Sequence, residues 1–398
     1  MNSIEEFEKN IHGELVKMWH ELHAHPELSM QEFQTAAYIE DALHRTVKNI
    51  DIKRVGKTGI WVQLRGTARD KTEEDVIILR ADMDALPINE NNDLPYRSQN
   101  PGIMHACGHD VHTTILFGTL RVLEHFRDTI PGTIWFFFQP GEEVLEGALS
   151  FLSDPAIDFS RPRAVAGIHQ GTNLEAGKIR LMKGVSLAGT DSLRISLRGP
   201  GGHGSAPQNT RDPVSAAAYL IAQLQTIVSR ETSPLDSAVL SFCSIHGGSR
   251  DNIIPEEVVI EGTLRTFTQK TRTNIQESIC RICRGTAESL GVKIEPEFLK
   301  HSPPLNNDPA IVEIAGRAVQ KLLGADNLEI GEKPRMGGED FAFFAEKIPS
   351  VFIIAGSRTP GGKQVNNHQA EFYTDEGTLR GGILALSGFA LEYFKVDF

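Results

Sequence analysis

The chain has 398 residues and a formal net charge of −12. This length favours roughly two or three domains, and a composition that is 40% hydrophobic and 23% charged is typical of a globular protein with a large core. The acidic balance lacks the basic footprint of a nucleic-acid-binding protein, so we expect no nucleic-acid partner.

The start of the chain shows no pattern typical of export or of a membrane protein. Residues 1–30 are polar and lack the apolar core of a signal peptide, and no apolar run approaches the ~20 residues of a membrane span. The cysteines are too sparse for a disulfide framework: Cys107, Cys243, Cys280 and Cys283. We therefore expect a protein of the reducing cytoplasm without a membrane partner.

Two helices are predicted at the start of the chain. The first spans residues 3–24, because Ser3 and Glu6 form a capping box and apolar residues recur at steps of three and four. The second is predicted to start at Ser29, with Glu32 three residues further on as the partner of the cap.

Three histidines lie at the predicted end of the first helix: His20, His23 and His25. Histidine suits the negative end of a helix dipole. We therefore interpret the cluster as a solvated helix end rather than as a set of ligands.

Two strands are predicted next, over residues 59–64 and 75–87. The second is apolar on both faces, as in a parallel sheet that is covered on both sides. It ends in Asp82 and Asp84, and carboxylates directly after a buried strand are costly unless they are paired. Because ligands gather at the carboxyl ends of such strands, the pattern favours a functional site here.

Residues 104–112 (MHACGHDVH) hold three histidines, a thiol and a carboxylate. These are zinc-binding side chains, and Gly108 lets the backbone bend so that Cys107 and His109 could face one ion. Alone, such a pair is weak evidence, since a free cysteine is usually a small buried hydrophobe. The stretch leads into a predicted buried helix over residues 113–123.

Two further buried strands also end in residues of ligand type. The strand 133–138 is followed by Glu142 and Glu143, which could divide the work of metal ligand and general base between them. The short run 165–169 ends in His169. The repetition of this pattern predicts one site at one edge of a sheet.

The sequence pattern then changes and predicts a small α+β unit, which we place at residues 186–296 as an insertion. Its predicted elements are a strand at 193–198, a helix at 213–230, strands at 238–245 and 257–265, and a helix at 271–290. The tight turn 199–205 carries His203. Cys280 and Cys283 form a CxxC inside the last helix, where a redox role lacks its usual strand context.

From residue 297 the sequence again shows the α/β pattern of the first part of the chain. We therefore predict a discontinuous domain made of residues 1–185 and 297–398. A helix is predicted over 310–323, a strand over 351–356 and a long helix from about Asp375. His368 lies in the loop before that last helix.

Seven motifs together resemble the di-metal amidohydrolase and exopeptidase family of aminoacylase, carboxypeptidase G, hippurate hydrolase and the auxin-conjugate hydrolases. In chain order, they lie at residues 23–32 (HAHPELSMQE), 80–87 (RADMDALP), 104–112, 139–143 (QPGEE), 201–207 (GGHGSAP), 252–255 (NIIP) and 338–341 (GEDF). The branch of bacterial N-acyl-L-amino-acid amidohydrolases is the most similar. The resemblance implies an α/β fold, a zinc-exopeptidase-like mixed sheet flanked by helices, with an inserted ferredoxin-like dimerisation or lid domain.

The resemblance also implies the site and its chemistry. Five residues would bind two divalent metal ions, zinc first and manganese, cobalt or nickel otherwise: Cys107, His109, Glu143, His169 and His368. Cys107 would bridge the ions, Glu142 would be the general base, and Asp84 would orient a ligand. Asp82 stands where the wider family has a ligand histidine, which leaves Cys107 and the extra histidines to complete the coordination.

A homodimer through the inserted domain is implied as well. His203 would then reach the partner's active site and stabilise the oxyanion, while Asn252 and Arg265 would bind the substrate carboxylate. The chain departs from the family at Gly141, where alanine is usual, and prolines are commoner in the loops that here contain Gln170 and Ala370. These departures concern specificity more than chemistry.

The expected reaction is hydrolysis of the amide bond of an N-acyl amino acid. An aminopeptidase or dipeptidase on the same scaffold stays open, because it differs only in the acyl group that is accepted. A Cys107-nucleophile amidase with His109 or His112 as base leaves Glu142 and Glu143 without a role. A binding protein without activity has no need of the general base Glu142.

Overall fold

The computed structural model describes residues 3–68 and 75–398. Among these residues the helices are α1 (Ile4–Ala24), α2 (Phe33–Thr46), α3 (His109–His125), α4 (Gly147–Leu152), α5 (Pro213–Thr226), α6 (Gln269–Leu290), α7 (Pro309–Leu323), α8 (Ala342–Ala345) and α9 (Gly377–Tyr393). The predicted helix 213–230 is therefore shorter, and a π-helical turn at Ile227–Glu231 follows it. No helix in the described ranges is both long and apolar enough for a membrane crossing.

Sixteen strands are found in the same ranges. They are β1 (Asp51–Val55), β2 (Gly59–Arg65), β3 (Val76–Asp82), β4 (Thr133–Gln139), β5 (Pro162–Glu175), β6 (Ile179–Leu181), β7 (Gly184–Leu187), β8 (Gly189–Arg198), β9 (Gly202–His203), β10 (Ala238–Gly247), β11 (Ile253–Ile254), β12 (Glu257–Thr266), β13 (Lys293–Ser302), β14 (Leu305–Asn307), β15 (Leu328–Ile330) and β16 (Ser350–Arg358).

The chain divides into two compact units. The first comprises Met1–Gly184, Asn306–Lys333 and Phe343–Phe398, and the second comprises Val185–Leu305 and Pro334–Ala342. The predicted insertion boundary at residue 296 falls inside β13, because the charged residues of that strand hid its pairing with β8. The roles of the two units as catalytic and dimerisation domains stay a prediction.

The first unit is built on an eight-stranded mixed sheet, as predicted. Its strand order is β1-β2-β4-β3-β5-β16-β6-β15. Every residue of β3 is buried, and β3 pairs in parallel with β4 and β5. The carboxyl ends of these strands therefore lie at one edge, with Asp82 opposite Gln139. Helices α1, α3 and α9 pack on one another, and α3 also packs on β3.

The second unit contains an antiparallel sheet in the order β10-β12-β8-β13. With α5 after β8 and α6 after β12, the chain order is βαββαβ, the ferredoxin-like arrangement. Its core includes Leu193, Ile260 and Ile279. Cys283 belongs to this core and Cys280 lies one helical turn before it in α6, which agrees with a structural rather than a redox CxxC.

Helix α1 forms as predicted, whereas α2 begins four residues later than predicted. In α1, Ser3 Oγ accepts a hydrogen bond from the backbone N–H of Glu6 at 3.2 Å. Helix α2 begins at Phe33 and not at Ser29. The reason is that the Glu32 carboxylate turns inward to residues outside the helix instead of closing a capping box.

Candidate metal centre

Asp82, at the carboxyl end of β3, is paired on both of its oxygens. Arg80 Nη1 donates to Oδ2 at 2.7 Å, and His112 Nδ1 lies 2.6 Å from Oδ1. His112 Nε2 accepts the backbone N–H of Gln170 at 2.8 Å, so Nδ1 must carry the proton that Asp82 accepts. Both nitrogens of His112 are therefore used. Asp82, His109 and His112 also offer ligand atoms within 4.8 Å of one another, so an ion bound by His112 would replace one of these hydrogen bonds, and the part of this extra histidine in the coordination stays a prediction.

Asp84 holds the ring of His109, the first residue of α3. His109 Nδ1 lies 3.1 Å from Asp84 Oδ1, and both side chains are buried. His109 Nε2 has no hydrogen-bond partner among the described residues. Gly108, with φ of 84°, precedes the helix and turns the chain into it. This is the carboxylate–histidine arrangement that orients a metal ligand.

Cys107, in the segment just before α3, and His169, on β5, approach each other. His169 Nδ1 donates to the backbone oxygen of Gln170 at 2.7 Å, which turns Nε2 towards Cys107 Sγ at 3.4 Å. Burial and the neighbouring His112 lower the pKa of His169 well below its usual range, so the ring is neutral. Asn367 Nδ2 also donates to Cys107 Sγ, at 3.4 Å.

Glu143 and His368 form the other side of the cluster. His368 Nε2 lies 3.1 Å from Glu143 Oε1, and the His368 side chain is 52% exposed. His109 Nε2 is 3.9 Å from the same oxygen. Contacts with Cys107 and Glu143 raise the pKa of His368 to about 10. Burial and Glu143 raise the pKa of the Cys107 thiol.

The donor atoms form overlapping groups that fit metal ions. Within each group the ligand atoms lie within 4.8 Å of one another, and Cys107 belongs to a group with His109 and His169 and to one with Glu143 and His368. Two donors on one zinc lie roughly 3.3–3.8 Å apart, given zinc–ligand bonds of about 2.0–2.3 Å. The observed separations of 3.1 and 3.4 Å are close to this. The five predicted ligands are thus brought together.

The charge around His109 also suits a cation. Burial opposes protonation of this ring, but the nearby Asp82 carboxylate and Cys107 outweigh burial and raise the pKa of His109 well above its usual range. A divalent cation competes for the same lone pair and is favoured by the same negative charge. Nε2 of His109 is a buried polar atom without a hydrogen-bond partner in the described part of the chain, as expected for an atom that binds a metal ion.

The interpretation of the first histidine cluster was wrong for His23. Its side chain is only 4% exposed, with Nδ1 2.7 Å from Asp110 Oδ2 and Nε2 3.2 Å from Glu90 Oε1. Burial opposes the charge, but both carboxylates outweigh burial and raise the pKa of His23 to about 9. Asp110 follows the predicted ligand His109 in α3, so His23 connects α1 to the start of that helix.

His105 is the histidine of residues 104–112 whose ring makes no hydrogen bond in the described part of the chain. Both of its ring nitrogens are buried and have no hydrogen-bond partner among the described residues. Burial lowers the pKa of His105 to about 4, which keeps the ring neutral.

Three predicted residues belong to the second unit. His203 lies on β9, where Ser205 donates to its Nδ1 through the backbone N–H at 3.1 Å. The backbone oxygen of Asn252 accepts from Gly204, so Asn252 is beside the same two-stranded ribbon. Arg265 lies on β12 opposite Thr190 of β8. Their predicted roles stay predictions.

Comparison with known proteins decides the family. The sequence profile of Peptidase family M20/M25/M40 matches residues 78–392. The chain belongs to this family.

Members similar over nearly their full lengths include two curated hydrolases. An N-acetylcysteine deacetylase of Bacillus subtilis is 36% identical over 373 residues, 94% of each chain. A hippurate hydrolase of Campylobacter jejuni is 34% identical over 99% of this chain and 100% of its own. The crystal structure of a dinuclear metal-binding M20 peptidase from Bacillus subtilis superposes with a TM-score of 0.83 at 32% identity, covering 98% and 99% of the two chains.

In this M20 chain, the carboxylate of Glu142 lies beside the donor atoms. This carboxylate, His109 and Glu143 offer oxygen or nitrogen atoms within 4.8 Å of one another. The backbone N–H groups of Glu142 and Glu143 donate to the two oxygens of Asp84, at 3.0 and 3.1 Å. A carboxylate next to a cluster of metal-ligand atoms is suited to take up and return a proton.

Sequence reasoning missed one buried acid of the site region, Glu32. The residue was part of the quoted motif at 23–32, but the capping-box pattern offered a local explanation for it. Its carboxylate is fully buried and accepts the backbone N–H of Gly141 at 2.9 Å, next to Glu142. A buried carboxylate inside a quoted motif was the signal that could have found it.

Proposed function

We propose that this M20-family chain hydrolyses the amide bond of N-acyl amino acids. The observation that supports the proposal most directly is the position of Glu142 beside the cluster of Cys107, His109, Glu143, His169 and His368. The deacetylase and the hippurate hydrolase to which the chain is similar are named for substrates of this class. N-acetyl, benzoyl and related acyl groups are all candidates.

The five clustered residues would hold two divalent cations, and Cys107 belongs to both groups of possible ligand atoms. A set of one thiolate, three imidazoles and one carboxylate suits zinc, while manganese, cobalt and nickel accept similar ligands. When bound, such cations supply Lewis acidity for the carbonyl and lower the pKa of water.

The chain's own residues would then perform the proton transfers and the positioning. Glu142 takes a proton from the attacking water and delivers it to the leaving amine. Asp84 keeps His109 in the tautomer with Nε2 unprotonated. The products are a carboxylic acid and a free amino acid.

A homodimer would complete the site. We propose that the second unit forms the dimer contact and that His203 donates a hydrogen bond to the oxyanion in the partner's site. Asn252 and Arg265 would bind the carboxylate of the substrate. This function suits an enzyme that works in the cytoplasm on small-molecule substrates and has no nucleic-acid or membrane partner.

Co-expression of two inactive variants tests the shared site. If His203 acts on the partner's site and Arg265 on its own, one site of a mixed His203→Ala and Arg265→Ala dimer keeps both native residues. We then expect up to about a quarter of native activity, since half the molecules are mixed and each has one intact site. Mixed dimers without activity would contradict action across subunits.

The function itself is tested by metal analysis and a substrate panel. Mass spectrometry of protein purified without chelator is expected to find about two divalent ions per chain. Hydrolysis of N-acetyl, N-benzoyl and peptidyl amino acids is expected to stop with a chelator and to return with zinc, manganese or cobalt. Activity that survives in metal-free protein but is lost on thiol alkylation would replace the proposal with a Cys107 nucleophile.

A further inference from the structure

The turn that carries Glu142 and Glu143 is held by its backbone N–H groups. Three consecutive N–H groups donate to buried carboxylates: Gly141 to Glu32 Oε1 at 2.9 Å, Glu142 to Asp84 Oδ1 at 3.0 Å and Glu143 to Asp84 Oδ2 at 3.1 Å. Asp84 also contacts His109, but Glu32 has no contact with a proposed ligand. Its position therefore needs its own explanation.

The carboxylate of Glu32 is fully buried, and both of its oxygens accept hydrogen bonds. Oε1 accepts the N–H of Met30 at 2.7 Å in addition to that of Gly141, and Oε2 accepts the buried hydroxyl of Thr58 at 2.7 Å. Burying an acid is costly unless it is hydrogen-bonded, and burial raises the pKa of Glu32 to about 7. The side-chain amide of a glutamine in its place could make hydrogen bonds to the same groups without a buried charge.

The segment around Glu32 contacts one side of the turn that carries Glu142 and Glu143. Met30 and Gly141, which share Glu32 Oε1, both have positive φ angles, 63° and 60°. The Met30 side chain covers Gly141 so closely that a Cβ there would lie 2.5 Å from Met30 Sδ. Ser29 Oγ donates to Asp84 Oδ2 at 2.6 Å, so the same segment also supports the second carboxylate.

We infer that Glu32 is a positioning residue for catalysis: it fixes the Gly141 peptide and thereby aims Glu142 and Glu143 at the metal cluster. The inference rests on the proposed function, because it takes the roles of Glu142 and Glu143 from there. Its effect is geometric rather than electrostatic. Displacement of a catalytic group by about 1 Å can lower a rate by roughly 100-fold.

The test compares three variants of the metal-loaded full chain. Glu32→Ala removes the acceptor, and we expect kcat to fall roughly 10- to 100-fold with KM within about threefold. Glu32→Gln keeps an acceptor oxygen for Met30 and Gly141 and can donate to Thr58 Oγ1, so it should retain kcat within about threefold. Glu27→Ala is the matched control, because Glu27 accepts the N–H of Thr35 at 2.8 Å on the same segment and does not contact the turn.

Zinc affinity gives a readout that does not depend on turnover. Because Glu143 belongs to the turn, Glu32→Ala should weaken zinc binding by about tenfold in competition with a chromogenic chelator, and Glu32→Gln should not. Thr58→Val, which removes a single donor, is a milder variant for the case in which Glu32→Ala does not fold. It should shift kcat in the same direction as Glu32→Ala, by at least about threefold.

Three outcomes would overturn the inference. They are native kcat and zinc affinity in both Glu32→Ala and Thr58→Val, equal loss in Glu32→Gln and Glu32→Ala, and equal loss of kcat in Glu27→Ala. Failure of the proposed function would look different. In that case the native chain would not hydrolyse the panel, while the zinc titration would still report whether Glu32 positions the turn.

Discussion

Asp84 Oδ1 and His109 Nδ1 lie 3.1 Å apart in the buried part of the site, and the other ring nitrogen of His109 has no partner among the described residues. The contact decides the tautomer of the ring, because a carboxylate accepts the Nδ1 proton and leaves the Nε2 lone pair free. It also links the end of β3 to the start of α3.

Asp84→Asn should weaken metal binding without removing a proposed ligand. An amide at this position cannot stabilise the His109 tautomer in the same way, and its NH₂ group would meet the N–H of Glu143 or Glu142. We expect zinc affinity to fall by roughly 10- to 100-fold. Competition titration with a chromogenic chelator measures this, and Asp51→Asn at the exposed ion pair with Arg65 is the control. Native affinity in Asp84→Asn would contradict the orienting role.

Glu142→Gln should separate chemistry from metal binding. The amide keeps the size of the side chain but cannot take a proton, so kcat should fall by roughly 100- to 10,000-fold. Metal content by mass spectrometry should stay at the native value. Glu146→Gln, an exposed acid on the same loop, should keep kcat. An active Glu142→Gln enzyme would show that another residue is the base.

His23 should make the stability of the fold depend on pH. The pKa of His23 is raised to about 9 in the folded chain, against an ordinary 6.5. A raised pKa means that the folded state binds the proton more tightly. The stabilisation is therefore complete below about pH 6.5 and is lost as the pH rises through about 9.

The effect is measured by urea unfolding at pH 6 and pH 9.5 of protein from which a chelator has removed the metal. The difference in unfolding free energy between the native chain and His23→Gln should shrink by roughly 3 kcal/mol between these pH values. His25→Gln, at a half-exposed ring on the same helix end, should show no such change. A difference that is independent of pH would mean that His23 is not charged in the folded state.

Gly141→Ala should strain the turn that precedes Glu142. The residue has φ of 60°, and a Cβ would lie 2.5 Å from Met30 Sδ. We expect a loss of about 1–2 kcal/mol in unfolding free energy and a lower kcat. Met30→Ala in the same chain should recover the part caused by the contact with Met30. Equal losses with and without Met30→Ala would show that the backbone angle alone is responsible.

Local signals in the sequence predicted that several residues of the candidate site lie close together. Asp82 at the end of buried β3, His169 within β5 beside it and a glycine before His109 place donor atoms at one side of the parallel part of the sheet. The predicted end of that strand at His169 was wrong, because β5 continues to Glu175. Hydrophobic periodicity predicted the longer elements of both units in their chain order, but not short ones such as β1, α4 and β6. It missed β13, since the exposed charged residues of that strand obscure its alternation.

Sequence alone therefore determined the fold class and the family, because these follow from residue type and order along the chain, while the set of donor side chains is what the resemblance to the family predicts. Only the tertiary structure decided which side chains are already occupied and which are aimed at the site. Both ring nitrogens of His112 are hydrogen-bonded, one to Asp82 and one to the backbone of Gln170, and His23 is buried against Asp110. Glu32 meets Gly141 across 109 residues of chain. Such pairings depend on distant segments, so no local periodicity or capping rule encodes them.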